Sequence, residues 1–291
     1  MQLAAKWRDS WSIHSEAIEG RRVHAHFTSD EPVDVIRLGR GDPIVLIPGL
    51  AGGWKLLWPL VQSLARHHEV ITFGLRGDDG AWEGPGGAGR RICGIGDYAQ
   101  DVASLIDQLG LDCPAVFGVS FGGAIALELA AEYPDRLGAL ILHGVESQFR
   151  PTIGSKIARR VLERFPLPSD SHFINQFFHL LFGTKPEPGP LVDFVVDRIW
   201  KTGQSVMAER LAQLESFNIS ERLWSIGAPT LVLAGGSDAI VPPARQRALA
   251  GEITDARFAT IDKAGHVGFL THRSEIVRRV RRHLKGVQAT V

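Results

Sequence analysis

Two hydropathy patterns alternate along the chain. Short apolar runs that stop at glycine or proline are typical of buried strands, and apolar residues three or four positions apart are typical of amphipathic helices. The runs predict strands at 44–47, 70–73, 115–119, 137–142, 230–234 and 257–261. The second pattern predicts a helix that ends near 67 and helices at 95–109, 121–133 and 274–284. This alternation predicts an α/β fold, with a mostly parallel sheet and helices on both faces.

Residues 147–217 follow a different pattern, without a strong strand signal. Helical segments there are interrupted by prolines, at 166, 168, 186, 188 and 190. We therefore expect a helical cap inserted between residues 1–146 and 218–291, which together form the core domain. Eight of the 14 phenylalanines lie in this segment, at 149, 165, 173, 177, 178, 182, 194 and 217. At least half of these rings are expected to pack the cap itself, and the others to line an apolar pocket.

The composition excludes several classes of protein. The chain has 291 residues with 32 basic and 32 acidic side chains, so its formal net charge is +0. Proteins that bind nucleic acid or anionic membranes need a surplus of basic residues, so we expect neither partner. The hydrophobic share of 44% is enough to fill a sizeable core. We expect a small-molecule substrate and a monomer or homodimer.

The sequence has neither a secretory signal nor a stretch long enough to span a membrane. The first residues lack the basic and apolar regions of a secretory signal, which predicts a cytoplasmic protein. The longest weakly polar stretch, 115–127, has 13 residues and is too short to cross a bilayer.

Cys93 and Cys113 have no CxxC spacing, so free thiols are expected rather than a zinc site. Nine of the 32 glycines lie within 74–96, but this run lacks the lysine of a phosphate-binding loop. We expect no metal and no other cofactor.

A serine flanked by glycines stands at the end of the third predicted strand. Gly118-Val119-Ser120-Phe121-Gly122 matches the G-x-S-x-G pattern between a strand and a helix. In such a nucleophile elbow the serine occupies a strained turn, so its neighbours must be small. The helix N-terminus also directs its partial positive charge at the site. The context predicts that Ser120 is a nucleophile, with a merely tight turn as the alternative.

A serine nucleophile needs a general base, and the base needs an acid that holds its tautomer. Asp238 stands on a turn after the fifth predicted strand, and His266 stands in a loop after the sixth. The order Ser120, Asp238, His266 is the one expected for a triad on such a sheet. We expect all three at the same sheet edge, where open α/β sheets bind ligands.

These motifs, in this order, resemble those of the α/β-hydrolase-fold serine hydrolases over residues 30–285. A fourth motif, Pro48-Gly49-Leu50-Ala51-Gly52-Gly53, follows the first predicted strand, where the family commonly has His-Gly. Proline replaces that histidine here, which alters the support of the loop. The resemblance implies that the backbone N–H groups of Leu50 and Phe121 form an oxyanion hole.

The resemblance leaves two positions open. The family's acid can also follow the strand before the cap, where Glu146 stands, and Asp238 is preferred because its turn is the commoner arrangement. Where many relatives read Asp-x-Arg-Gly-x-Gly, this chain has Gly74-Leu75-Arg76-Gly77-Asp78-Asp79. The leading acid is therefore missing. Arg76 is expected to form a structural ion pair, with substrate contact as the alternative.

The substrate pocket is expected to be mostly apolar. Trp54, Phe177, Phe178 and Val267 are candidates for its wall, and His143 is either a pocket residue or a hydrogen-bonded core histidine. The predicted protein is a cofactor-independent serine hydrolase that cleaves a carboxylic ester or similar carbonyl compound. Two alternatives stay open on the same fold: a hydrolase of carbon–carbon bonds in diketones with the same triad, and a small-molecule receptor.

Overall fold

The computed structural model describes residues 20–28, 32–78, 94–151, 153–165 and 180–289. Within these ranges, the strands are β1 (Arg21–His26), β2 (Pro32–Leu38), β3 (Pro43–Ile47), β4 (Glu69–Phe73), β5 (Ala115–Val119), β6 (Ala139–His143), β7 (Thr230–Gly235) and β8 (Ala256–Ile261). They form an eight-stranded sheet in the order β1-β2-β4-β3-β5-β6-β7-β8. β1 pairs antiparallel with β2, and β2 antiparallel with β4. All other neighbouring strands are parallel.

The α-helices of the described ranges are α1 (Gly53–Leu64), α2 (Ile95–Gln108), α3 (Phe121–Glu132), α4 (Ile153–Arg164), α5 (Pro190–Ile199), α6 (Gln204–Ser216), α7 (Pro243–Glu252), α8 (Gly268–Thr271) and α9 (Arg273–Gln288). Two 3₁₀ helices lie at Pro134–Arg136 and Ser220–Ser225. Among these helices, none has both the length and the hydropathy needed to span a membrane.

Helices cover both faces of the sheet. Every residue of β5 and of β6 is buried. Because successive side chains of a strand point to opposite faces, Val116 packs with α2 and α3 on one face, and Phe117 packs with α1 and α9 on the other. This arrangement confirms the predicted fold class, a mostly parallel sheet between two layers of helices.

The predicted strands are all present, as β3 to β8, and their bounds differ from the prediction by at most two residues. The hydropathy pattern did not predict β1, β2 or α7. β1 is an edge strand that reads Arg-Arg-Val-His-Ala-His and has one buried residue, so it has no apolar run. α7 has a single large apolar side chain, that of Leu249, and buries only Gln246, Leu249 and Ala250.

Residues 147–217 contain α4, α5 and α6, and the two ends of this segment lie side by side. Gln148 and Asn218 form an isolated antiparallel bridge, and the N–H of Ile219 donates to the carbonyl of Ser147 at 2.9 Å. Pro190 begins α5, at a position where the missing N–H of proline is tolerated. We call residues 147–217 the inserted segment. The division of the chain into a core domain and a cap stays a prediction.

Several phenylalanines of the inserted segment are structural. Phe182, Phe194 and Phe217 are buried in the apolar clusters on the two faces of the sheet. Phe177 and Phe178, which were predicted to line the pocket, lie outside the described residues.

Candidate active site

Ser120 lies on the sharp turn between β5 and α3. Its backbone has φ 54° and ψ −116°, a conformation that residues with a side chain seldom adopt. Its N–H donates to the carbonyl of His143 at 2.8 Å, and its carbonyl accepts from the N–H of Gly123 at 2.7 Å. Hydrogen bonds on both sides thus hold the strained residue in place.

The glycines of this elbow are needed because other atoms lie against them. A Cβ at Gly118 would lie 2.6 Å from Cα of Gly123. A Cβ at Gly122 would meet the carbonyl oxygens of Ile47 and Pro48. Contacts this short would force the backbone to move, so the G-x-S-x-G pattern has a steric basis here.

Three side chains beyond the carboxyl ends of β5, β7 and β8 form a hydrogen-bonded chain. Nε2 of His266 lies 2.8 Å from Oγ of Ser120, and Nδ1 of His266 lies 2.9 Å from Oδ2 of Asp238. His266 and Asp238 are only 6% and 4% exposed, whereas Ser120 is half-buried. The structure therefore brings together the three residues that the sequence singled out as nucleophile, acid and base.

The carboxylate of Asp238 is held by hydrogen bonds on both oxygens. Oδ1 accepts from the N–H groups of Ile240 and Val241, each at 2.9 Å. Oδ2 accepts from Nε2 of Gln246 at 3.4 Å, in addition to its contact with His266. Burial raises the pKa of the Asp238 carboxyl, but the charge and hydrogen bond of His266 and the N–H of Val241 outweigh it, so the pKa is below its ordinary value. An ionised Asp238 therefore faces Nδ1 of the histidine.

Glu146, the alternative acid, has a different partner. Both of its carboxylate oxygens accept from Nη1 of Arg245, at 3.1 and 3.2 Å. Burial raises the pKa of Glu146, although Arg245 opposes this shift. Of the two candidate acids, Asp238 is the one in contact with His266.

His143, at the end of β6, has no exposed surface and lies beside His266. Its Nδ1 lies 2.8 Å from the carbonyl oxygen of Leu233, and its Nε2 lies 3.1 Å from the carbonyl oxygen of His266. Burial lowers the pKa of His143, and the charge of His266 lowers it further, although both carbonyl contacts oppose the shift. The prediction that His143 lines the pocket is not supported by this environment, which is that of a hydrogen-bonded core histidine.

The loop after β3 lies next to the serine. A Cβ at Gly49 would lie 3.7 Å from Cβ of Ser120. In the part of the chain that the structure describes, the N–H groups of Leu50 and Phe121 donate to no other protein atom. Phe121 is the first residue of α3, where N–H groups have no partner within the helix. Both N–H groups are therefore available to an atom of a ligand.

Comparison with known protein families assigns this sequence to one of them. A family model described as the alpha/beta hydrolase fold matches residues 42–273, which include the loop after β3, the elbow, and the turns of Asp238 and His266. The chain belongs to this family.

Individual proteins resemble this α/β hydrolase over most of its length. One relative is a protein of Azorhizobium caulinodans that is named as a candidate carbamate hydrolase, RutD. It is 30% identical over 78% of this chain and 85% of its own. A pimeloyl-[acyl-carrier protein] methyl ester esterase of Neisseria meningitidis is 27% identical over 67% of this chain and 66% of its own. A thermophilic esterase of Thermogutta terrifontis has a TM-score of 0.77 and 25% identity, over 92% of this chain and 99% of its own. These findings confirm the predicted hydrolase.

In this α/β hydrolase the inserted segment contacts the loop that carries His266. The N–H of Val267 donates to the carbonyl of Leu181 at 2.9 Å. A Cβ at Gly265 would meet backbone atoms of Phe182 and Gly183, so the two backbones are in direct contact. Val267, one of the predicted pocket residues, is 3% exposed beneath this contact.

Trp54, another predicted pocket residue, lies in the first turn of α1. It packs edge-to-face against Trp58, with ring centroids 5.7 Å apart, and only 7% of it is exposed. A small cleft beside it is lined by Gly52, Gly53, Trp54, Lys55, Asp78, Arg198, Lys201 and Thr202. The loop after β3 and the inserted segment meet at this cleft.

Arg76 forms a structural ion pair, as expected. Its Nε and Nη2 each donate to a carboxylate oxygen of Asp101 at 2.6 Å, and its guanidinium lies over the ring of Phe27. Arg76 and Asp101 are 8% and 2% exposed. Because Asp101 stands in α2, this fork-shaped pair ties the loop after β4 to the helix that follows.

Four residues that support the site were not predicted: Gly144, Thr202, Arg210 and Gln246. Gln246 donates to the carbonyl of Val241 at 2.8 Å and accepts from the N–H of Gly144 at 3.0 Å. Only Gly144 had a signal in the sequence, because a glycine directly after a strand indicates a tight turn. The other three are single polar side chains on helices or in a turn, where no local pattern distinguishes them from solvent-facing residues.

Proposed function

We propose that this protein is a serine hydrolase that cleaves a carboxylic ester, or a similar carbonyl compound of mostly apolar character, through an acyl-enzyme. The observation that carries the proposal is the chain of hydrogen bonds from Oγ of Ser120 through His266 to Asp238, with links of 2.8 and 2.9 Å. The strained backbone of Ser120 supports it, because such an elbow presents the hydroxyl at the edge of the sheet where ligands bind.

In the first half of the reaction, Oγ of Ser120 attacks the carbonyl carbon while its proton moves to Nε2 of His266. This transfer needs a neutral imidazole with its proton on Nδ1, and Oδ2 of Asp238 accepts from that N–H and so selects the tautomer. When the tetrahedral intermediate collapses, Nε2–H gives its proton to the leaving oxygen, which departs as an alcohol. The acyl group stays on Ser120 as an ester.

In the second half, a water molecule gives a proton to Nε2 of His266 and attacks the acyl carbon. Collapse of this second intermediate returns the proton to Oγ of Ser120 and releases the carboxylic acid. In both halves negative charge develops on the former carbonyl oxygen. The N–H groups of Leu50 and Phe121 suit this charge because neither has an acceptor among the described residues, and each such donor typically contributes about 3 kcal/mol.

The inserted segment is proposed as the cap over this site. It contacts the loop of the base through Leu181 and the loop after β3 through Thr202. Its share of phenylalanines favours an apolar acyl or aromatic group in the substrate. The names of the two relatives point to an ester and a carbamate, which share a carbonyl bonded to a leaving heteroatom. Esters and carbamates that carry one common apolar group are therefore the first substrates to compare.

The test is hydrolysis of short p-nitrophenyl esters by the wild-type protein and by Ser120→Ala. We expect the substitution to abolish hydrolysis while circular dichroism and the thermal midpoint stay close to wild type, because Ser120 is half-buried and its hydroxyl is removed without new bulk. A fluorophosphonate should label the wild-type protein at Ser120 and leave the variant unlabelled. If Ser120→Ala still hydrolyses these esters, Ser120 is not the nucleophile and the proposal is wrong.

Product analysis separates the two alternatives. Acid and alcohol from an ester support the proposal, whereas acid and ketone or dienoate from a diketone indicate cleavage of a carbon–carbon bond by the same triad. Very slow turnover together with thermal stabilisation by the ligand indicates a receptor. A cytoplasmic location, the absence of a cofactor and a monomeric or homodimeric state stay predictions.

A further inference from the structure

Arg210, in α6 of the inserted segment, is completely buried and contacts the loop after β3. Its Nη1 donates to the carbonyl of Leu50 at 2.7 Å and to Oδ1 of Asp78 at 2.9 Å. Its Nη2 donates to the carbonyl of Arg76 at 2.8 Å. Arginine is almost never fully buried unless it is paired, and here the fork of the guanidinium joins three partners from two loops of the core domain.

Thr202, in the turn between α5 and α6, makes a second contact with the same loop. Its Oγ1 accepts from the N–H of Gly52 at 2.9 Å, and Thr202 is 3% exposed. The backbone at Gly52 and Gly53 is left-handed, with φ 80° and 51°, so the chain reverses sharply there. Pro48, at the start of the loop, has no N–H with which to anchor it. The inserted segment thus holds the loop on both sides of Ala51.

Arg210 also lies near the second expected oxyanion donor. Its guanidinium carbon is 5.9 Å from the ring centroid of Phe121, and this ring packs edge-to-face on Tyr98 at 5.3 Å. Asp78, which is 6% exposed, balances the charge of Arg210. Because the buried pair is neutral overall, the contribution of Arg210 to the site is geometric. Its hydrogen bond fixes the carbonyl of Leu50 and so limits how far the N–H of the same residue can move.

We propose that Arg210 and Thr202 are positioning residues for the oxyanion hole, so that the inserted segment supports catalysis directly as well as covering the site. The inference rests on the proposed function. Donors stabilise an oxyanion only when they lie within about 2.7–3.1 Å of its position in the transition state. Loosening the loop moves the N–H of Leu50 away from that position, while binding of the uncharged substrate is little affected.

The test compares Arg210→Lys and Thr202→Val with the wild-type protein. A lysine keeps the charge beside Asp78, but its compact ammonium does not reproduce the fork. Valine has the shape of threonine without the acceptor for the N–H of Gly52. For both variants we expect kcat and kcat/KM to fall together by about 10- to 100-fold with KM nearly unchanged. Affinity for a trifluoromethyl ketone, which forms a tetrahedral oxyanion on the serine, should fall by the same factor.

Two matched controls separate positioning from general stability. Thr202→Ser keeps the acceptor and should retain wild-type kcat. Arg222→Lys disturbs the Arg222–Glu128 ion pair on the outer side of α3 and should change kcat by less than about two-fold, since a partly exposed pair contributes little. Circular dichroism and thermal unfolding establish that each variant is folded at the assay temperature.

The outcomes are distinct. If folded Thr202→Val or Arg210→Lys keeps the wild-type kcat and ketone affinity, the inference is wrong even though Ser120→Ala is inactive. If Arg210→Lys does not fold, Thr202→Val against Thr202→Ser decides the question alone. If Ser120→Ala retains activity, the proposed function itself has failed.

Discussion

The imidazole of His266 fills the space that a side chain on Gly144 would need. A Cβ at Gly144 would lie 2.8 Å from Cε1 and 3.0 Å from Nδ1 of His266. Gly144 directly follows β6 in a left-handed conformation, with φ 68°, and its N–H is fixed by Oε1 of Gln246. The position of the ring therefore depends on the backbone that directly follows β6, as well as on the hydrogen bond that Nδ1 of His266 donates to Asp238.

Gly144→Ala is expected to push the imidazole out of line with Ser120 and Asp238. Misplacing a catalytic group by about 1 Å costs roughly 100-fold in rate, so we expect kcat to fall by at least about 10-fold. The left-handed backbone adds a stability cost of about 1 kcal/mol for a residue with a Cβ. Gly110→Ala is the matched control, because Gly110 has φ 61° and no atom within 4 Å of its Cβ position. Gly110→Ala should lose stability only, and equal activity in the two variants would contradict the steric argument.

Substitution of the two candidate acids distinguishes their roles. Asp238→Asn replaces the acceptor facing Nδ1 of His266 with an amide that favours the wrong tautomer, so kcat should fall by about 10³- to 10⁴-fold. Glu146→Gln weakens a half-exposed pair with Arg245 and should change kcat by less than about three-fold. The measurement is kcat for an ester whose acyl group is transferred to Ser120. The opposite ranking would make Glu146 the acid.

The hydrogen-bonded chain of Ser120, His266 and Asp238 could be predicted from sequence because each residue stands on a turn with its own local pattern. Ser120 has glycines at fixed offsets that the packing demands. Asp238 follows β7, which ends at Gly235, and His266 follows β8 with Gly265 directly before it. Parallel strands place these three turns at one sheet edge without any knowledge of packing. The strands that were missed, β1 and β2, lie at or near the antiparallel edge, where polar residues interrupt the apolar run.

The support of the site could not be predicted in the same way. Arg210 and Leu50 are joined across 160 positions, and Thr202 and Gly52 across 150. The sequence does not distinguish a buried arginine from a surface arginine. Only the packing of α6 against the loops after β3 and β4 shows that Arg210 is buried. His143 shows the same limit, since its position at a strand end fitted a pocket residue until its two carbonyl partners were known.

Gln246 is expected to stabilise the site through its hydrogen bonds. Gln246→Leu leaves the N–H of Gly144 and the carbonyl of Val241 without their side-chain partner in a fully buried place, which costs about 1–3 kcal/mol for each group. kcat should fall less than in Asp238→Asn, because the Asp238 carboxylate keeps its backbone donors. Denaturant unfolding and ester kinetics measure the two effects.

The control for Gln246 is another buried glutamine. Gln213, in α6, is 8% exposed, and neither polar atom of its side chain has a hydrogen-bond partner among the described residues. Gln213→Leu should therefore leave the free energy of unfolding unchanged or raise it slightly. If Gln246→Leu were as stable as Gln213→Leu, the hydrogen bonds of Gln246 would have no structural role.

The buried neutral state of His143 makes stability depend on pH. Burial lowers the pKa of His143 in the folded protein below its ordinary 6.5, the value expected in the unfolded chain. Below that pH the unfolded chain binds a proton that the folded protein does not, so the free energy of unfolding falls as pH falls. The contribution of His143 is complete above about pH 6.5 and is lost as pH drops toward its folded pKa. Burial shifts the pKa of His68 and of His283 in the same direction, so both add to the slope.

The NMR signals of the imidazole nitrogens test this for His143 itself, with His143→Gln providing the assignment. At about pH 5.5 an unperturbed histidine is roughly nine-tenths protonated, and the protonated fraction of His143 should be smaller than that. The 2.8 Å contact of Nδ1 with the carbonyl of Leu233 is the shorter of its two, so the proton is expected on Nδ1. A doubly protonated ring at pH 6.5 would mean that both carbonyls accept hydrogen bonds from an imidazolium. In that case a positive charge would lie buried beside the base, and it would oppose protonation of His266 during the reaction.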